Sequence, residues 1–252
     1  MQALRSILIY HDIGCSAQST QALKAQLEKW GSSHFNIRVV DSQTLRQSAW
    51  EKETYALAIG GGSCSIWEAL LQEEGMRKIH DFVVQGGRYL GICAGAYFGA
   101  AISYFQEVGK EPLEKRRPLG FYPGLAVGPI YVTSDYLSPQ AALALKVELA
   151  SKNGTKEGYC YYQGGPAFDV AESSPFLRVL LKFDFGWAGG ISSRYGLGKS
   201  VMCGLHPEFI WEKSLADGTC VQEYQELVDC LHEQEGFREE VWQTLMQEWL
   251  SD

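Results

Sequence analysis

Four short apolar runs in the first hundred residues, each followed by a stretch of helical character, constrain this chain more than any other feature. RSILIYHD (5–12) reads as a buried strand, and STQALKAQLEKWG (19–31) as the next helix, with Ser19 or Thr20 placed to cap it and Gly31 to stop it. FNIRVVD (35–41) and TYALAIGGG (54–62) are a second and a third strand. SIWEALLQEEGMRKIHDFVVQGG (65–87) is helical with a break expected near Gly75, and RYLGIC (88–93) is a fourth strand. AGAYFGAAISYF (94–105) has the small, apolar character of a helix packed closely on a sheet. Strands separated by helices imply right-handed crossovers and an α/β fold: a mostly parallel sheet covered by helices on both faces. Ligands bind such sheets beyond the carboxyl ends of the strands, where the Gly60–Gly62 turn and Cys93 both fall.

The second half reads differently. Strand-like segments follow at 121–135, 143–151, 158–169, 176–185 and 189–205, with period-two alternation at Leu143, Leu145, Val147 and Leu149 and a hairpin turn expected at Gly196–Gly198. These add antiparallel strands. Nothing in the composition marks a linker, so residues 1–252 are expected to form one domain, with a core to about 215 and C-terminal helices over 220–252. The net charge of −8 is concentrated there: residues 222–252 hold nine Asp or Glu against Arg238 alone. Apolar residues between those acids recur at helical intervals, so an acidic helical hairpin broken near Gly236 is expected. It either docks on the core or exposes a Trp242/Trp249 stripe to a partner. An acidic balance disfavours nucleic acid, and KEPLEKRRP (110–118) is too small a basic patch to offset it. No apolar run reaches the roughly 18–20 residues that cross a bilayer, and the first residues read as a strand rather than a leader. Seven scattered cysteines, an odd number, fit free thiols in a reducing, cytoplasmic setting. The lone CxxH at Cys203 and His206 has no second pair, so no metal is expected, and no motif calls for a cofactor.

Cys93 lies in GICAG (91–95). A residue at the apex of a tight strand-to-helix turn needs tiny neighbours, and here glycine stands two residues to either side with alanine next to it. Taken alone, the stretch fits a nucleophile elbow and a small buried thiol about equally well. A nucleophile needs a base, and GLHPEF (204–209) places His206 past a strand end, with Glu208 two residues on to orient the imidazole. His11, at the end of the first strand, is the rival base. The glycine turn at 60–62 offers backbone N–H groups for an oxyanion together with that of Ala94. Neither a Walker loop nor a dinucleotide GxGxxG motif is present.

Glycine-rich turn, G-x-C-x-G elbow and late H-P-E, in that order, resemble the class I glutamine amidotransferases with their Cys–His–Glu triad. GGRYLGICAGAYFGA (86–100), LGFYPGLAVGP (119–129), YYQGGPAF (161–168) and GLHPEF are closer still to the amidotransferase-like N-terminal domain of biotin–protein ligases, which also occurs as a stand-alone protein. The similarity runs from the first strand to about residue 210. It implies a flavodoxin-like sheet, Cys93 as nucleophile, His206 as base and Glu208 as orienter. It further implies oxyanion or substrate contacts from Gly61, Gly62, Ala94, Tyr97, Gly164 and Gly165. Glutaminases usually carry Gln or Leu where Tyr97 stands, which reshapes the glutamine pocket. The GRGRxG loop of biotin ligation is absent, and the chain leaves no room for a ligase domain. The expected function is hydrolysis or acyl transfer on a small amide or peptide. The alternatives are a non-catalytic ligand-binding module, with YYQGGPAF as its wall, and a serine-peptidase-like relative with cysteine in place of serine. A protein partner or a second copy stays open.

Overall fold

The computed structural model describes residues 4–31, 33–131, 135–136, 138, 141–151, 154–170, 175–209 and 225–251. Strands β1 (Ser6–Tyr10), β2 (Asn36–Val40), β3 (Thr54–Ile59) and β4 (Arg88–Ile92) alternate with helices α1 (Ala17–Gly31), α2 (Ser42–Gln47) and α3 (Cys64–Val84), and α4 (Ala94–Gly99) follows β4. Further on come β5 (Ala100–Phe105), β6 (Leu113–Arg116), β7 (Tyr122–Gly128), β8 (Leu143–Ser151), β9 (Gly154–Tyr162), β10 (Ala167–Phe168), β11 (Leu177–Phe183), β12 (Ala188–Tyr195) and β13 (Gly198–Cys203). Helices α5 (Gln225–Glu233) and α6 (Glu235–Leu250) close the chain.

One sheet joins all the strands, in the order β2-β1-β3-β4-β13-β12-β10-β7-β5-β6, with β11, β8 and β9 branching from β12. From β2 to β13 every pairing is parallel, which is the flavodoxin-like part. From β13 to β12 the sheet turns antiparallel through a two-residue loop, with Gly196 at φ 59° where the turn demands it. Along β1 the side chains divide by period two. Ile7 and Ile9 lie under α1 and α6, with Leu23, Leu27, Trp242 and Leu245. Leu8 and Tyr10 lie under α2 and α3, with Leu45, Trp67 and Leu71. Burial of each such side chain contributes about 1.5–3 kcal/mol, so both helical layers are held to the sheet.

Three expectations need correction. The helix expected over 94–105 ends at Gly99. Ala100–Phe105 is a strand pairing with β6 and β7, because Ile102, Tyr104 and Phe105 suit a pleated surface better than another helical turn. The break in α3 falls at Gln72 (φ 56°), while Gly75 is needed for close packing. A Cβ there would lie 3.0 Å from Arg46 Cγ of α2. Gly236 does not divide the C-terminal helices, which part at Gln234. Trp242 and Trp249 are buried against the sheet, so of the two alternatives the helical pair docks on the core. Residues 132–134 of the strand expected at 121–135, and residues 220–224 of the C-terminal helices, lie outside the described residues.

Candidate active site

Cys93 sits between β4 and α4 with φ 53° and ψ −110°, a conformation that costs a non-glycine residue about 1–3 kcal/mol. Its small neighbours make the turn possible. A Cβ on Gly91 would overlap the Gly95 carbonyl, and one on Gly95 would overlap the Ile59 carbonyl at the end of β3. The backbone is further pinned by the Cys93 N–H, which donates to Cys203 O (2.8 Å), and the Gly95 N–H, which donates to Gly60 O (3.0 Å). The elbow is thus clamped between the strands on either side of β4.

His206 lies three residues past the end of β13. Its N–H donates to Tyr161 O (2.9 Å), and its ring packs against Tyr161 and Phe209 at centroid distances of 5.7 and 5.0 Å. Nδ1 is 2.8 Å from Glu208 Oε1. The pair meets through a turn at Pro207–Glu208 rather than through the extended pleat expected. Burial alone would push the imidazole down, but the Glu208 carboxylate and the facing Cys93, which is within hydrogen-bonding reach, raise it to about 10. His11, the rival, is engaged with Thr20 Oγ1 at 2.9 Å.

Gly61 belongs to the site in a different way from that expected. Its N–H donates to Ser19 Oγ (3.0 Å), so it is not free to bind an oxyanion. Its lack of a side chain makes room for the imidazole, since a Cβ would stand 3.3 Å from His206 Cε1. Among the described residues the Gly62 and Ala94 N–H groups make no hydrogen bond.

Gln163–Gly165 forms a ridge beside the thiol. Cys93 Sγ donates to Gln163 O (3.4 Å), Tyr97 Oη to Gly164 O (3.1 Å) and Tyr162 Oη to Gly165 O (2.9 Å). Gly164 has φ 72°, and a Cβ on Gly165 would overlap the Gly204 carbonyl. Tyr97 is buried, holding this ridge from beneath. A cleft of about 450 Å³ lined by Tyr104, Gln106, Tyr131 and Trp187 reaches Gly128, but contains none of Cys93, His206 and Glu208.

Two contributors were hidden in the sequence. Ser19 reads as a helix cap, yet Ser16 has that role, accepting from the Ser19 N–H (3.2 Å). Ser19 is instead fully buried and donates to Glu208 Oε1 (3.0 Å). Arg238 is buried as well, donating from Nη1 to Phe209 O (2.8 Å) and from Nε to Leu231 O (3.0 Å). As the lone base in an acidic tail it carried a signal that pattern reading passed over.

The architecture is a glutamine amidotransferase-like fold. A solved glutamine amidotransferase superposes with a TM-score of 0.53, covering 80% of this chain and 90% of its own at 17% identity, a likeness of fold alone. The chain itself belongs to the family described as biotin-protein ligase, N terminal, which matches residues 5–250 and so takes in the C-terminal helices that the motif resemblance left out. A protein of Chlamydia muridarum described as uncharacterized is 34% identical over 216 residues, 83% of this chain and 82% of that one. The biotin–protein ligase of Schizosaccharomyces pombe is 30% identical over 215 residues, but this chain covers only 34% of it.

Proposed function

We propose that this chain is a cysteine-dependent amide hydrolase or acyl/amido transferase acting on a small amide or peptide. The observation that carries the reading is a cysteine at positive φ facing an imidazole whose other nitrogen is 2.8 Å from a fully buried carboxylate. In the proposed reaction Cys93 Sγ, its proton passed to His206 Nε2, attacks the amide carbon. The C–N bond then breaks as Nε2 returns that proton to the departing amine, leaving a thioester on Cys93. Water, or an amine acceptor, attacks the thioester, gives its proton to Nε2 and releases the thiol. The Ala94 and Gly62 N–H groups are assigned to the oxyanion, a type of contact worth about 3–4 kcal/mol. Tyr97 stands where glutaminases usually carry Gln or Leu, so the substrate assigned is a small amide, and ammonia release from glutamine tests whether glutamine is among those used. Biotin ligation stays with the longer relative and is not assigned to these residues.

Burial pushes the Cys64 and Cys160 thiols up to about 12 and Cys15 to about 11, which keeps them protonated and slow to alkylate. Iodoacetamide at neutral pH is therefore expected to label Cys93 before these three. A panel of small amides is expected to be turned over by the wild type and not by Cys93→Ala. Equal labelling of Cys93 and the buried thiols would overturn the proposal. A second reading, a non-catalytic ligand-binding module, is favoured by the Gln163 carbonyl, which occupies the thiol and leaves Cys93 only 9% exposed. Selective labelling without turnover of any amide would support it.

A further inference from the structure

Ser19 comes from α1, and no motif announces it. Its Oγ accepts from the Gly61 N–H at 3.0 Å and donates to Glu208 Oε1 at 3.0 Å, in a position with no solvent exposure. The direction of both bonds follows from counting protons. The amide can only donate, so the serine oxygen accepts there, and its single proton is left for the carboxylate. Among the described residues, Glu208 Oε1 then takes two donors, Ser19 Oγ–H and His206 Nδ1–H, while Oε2 is buried without a partner. All of the carboxylate's hydrogen bonding converges on one oxygen, and Ser19 supplies half of it. Gly61 follows β3 and Glu208 follows β13, the two strands that flank β4, whose end carries Cys93. Ser19 therefore ties together the two loops on either side of the nucleophile. A Cβ on Gly60 would come within 2.6 Å of Ser19 Oγ, so the glycine turn is shaped around that hydroxyl.

We propose that Ser19 is a positioning residue of the site, holding Glu208 as a hydrogen-bonded carboxylate toward His206 and fixing the Gly60–Gly62 turn at the same time. This rests on the Cys93–His206–Glu208 reading. The titratable groups facing Glu208 are His206 on its own loop and Cys203 at the end of β13, while Cys93 faces His206. None of them donates a second hydrogen bond to Oε1 in place of Ser19.

The test uses the full chain carrying Ser19→Ala, with Ser19→Cys as a variant of nearly the same volume whose thiol is a weak donor. Glu208 is followed by the ¹³C NMR shift of its carboxyl carbon at neutral pH, and Gly61 by amide hydrogen exchange. Both variants are expected to move the carboxyl resonance, because the carboxylate has lost one of the two donors to Oε1. Exchange at Gly61 is expected to quicken roughly tenfold relative to its β3 neighbours. A merely space-filling serine would leave the carboxyl resonance where it is, and a folded Ser19→Ala or Ser19→Cys protein with an unchanged resonance and unchanged Gly61 protection overturns the proposal. Neither readout needs Cys93 to react, so a failure of the enzyme reading appears separately, as unselective alkylation of the wild-type thiols.

Discussion

His206 Nδ1 and Glu208 Oε1 stand 2.8 Å apart with their side chains 6% and 0% exposed, which makes them a buried ion pair when the imidazole is charged. The carboxylate, with Cys93, overcomes the penalty of burial and lifts the imidazole to about 10. A histidine raised in the native state binds its proton more tightly there than in the unfolded chain. The contribution to stability is therefore complete below about pH 6.5 and disappears as pH climbs through about 10. Glu208→Gln is expected to bring the His206 titration, followed by NMR of the ring protons, down by more than one pH unit. It should also cost on the order of 3 kcal/mol at pH 6, and clearly less at pH 10 by urea denaturation. An unchanged ring titration in a folded variant would contradict the pairing.

The elbow trades stability for geometry, and the trade is measurable. Alanine at position 93 keeps the strained φ of 53°, whereas glycine adopts it freely. The strain relieved is about 1–3 kcal/mol and the extra chain entropy of glycine about 0.5–1 kcal/mol, so relief wins. Cys93→Gly is expected to be more stable than Cys93→Ala by about 1 kcal/mol in urea denaturation, with both variants unable to be alkylated at the site. A glycine variant less stable than the alanine one would mean that the turn relaxes in solution.

The parallel half of the sheet and its helices could be read from sequence because each strand there is a continuous buried run and each helix has one apolar face. That Cys93, His206 and Glu208 would come together could be read because a tight turn and a carboxylate beside a histidine leave marks in neighbouring residues. What could not be read depends on contacts between distant segments. Ala100–Phe105 looked like more helix until β6 and β7 supplied its hydrogen bonds. Gly61 looked like an oxyanion donor until Ser19, 42 residues away, claimed its N–H. Cap and relay use the same serine chemistry, so a sequence cannot distinguish them.

Two glycines of the site should respond differently to alanine. At Gly61 the added methyl would meet His206 Cε1 at 3.3 Å, a contact the ring can escape by moving a few tenths of an ångström. At Gly95 it would overlap the fixed Ile59 carbonyl. Gly61→Ala is thus expected to fold with less than about 1.5 kcal/mol lost, yet to slow Cys93 alkylation roughly tenfold by displacing the base. Gly95→Ala is expected to lose about 3 kcal/mol or more, as other severe overpacking does. Comparing alkylation rate with urea midpoint for the two variants distinguishes displacement of the ring from loss of the fold.

Tyr97 supports the ridge through one buried bond, from Oη to Gly164 O. Tyr97→Phe removes the donor and leaves the carbonyl unpaired, at a cost of about 1–2 kcal/mol. The ring itself stays packed against Phe105 at 5.7 Å, so the thiol should remain reactive. Expected is a lower urea midpoint with Cys93 labelling within about threefold of wild type, since the variant leaves His206 untouched. A loss of labelling as large as that of Glu208→Gln would show that the ridge, and not the base alone, sets the reactivity of Cys93.

The C-terminal helices reach the site through Arg238. Its guanidinium donates to the carbonyl of Phe209, and the Phe209 ring stacks on His206 at 5.0 Å with an interplanar angle of 33°. Phe209 also shares a small apolar cluster with Tyr161 and with Leu231 of α5. Helical docking and imidazole placement are therefore coupled through Phe209 and Tyr161. Arg238→Met keeps the length and apolar bulk of the side chain but leaves the Phe209 and Leu231 carbonyls without their charged donor, a loss of about 2–4 kcal/mol. The variant should lose stability, and hydrogen exchange should quicken in α5 and around Phe209 before it does in β1, β3 and β4. Alkylation of Cys93 should slow in step with the exchange at Phe209. Should Arg238→Met labelling match wild type while α5 exchanges freely, the helical pair would be an attachment to the core with no part in holding His206.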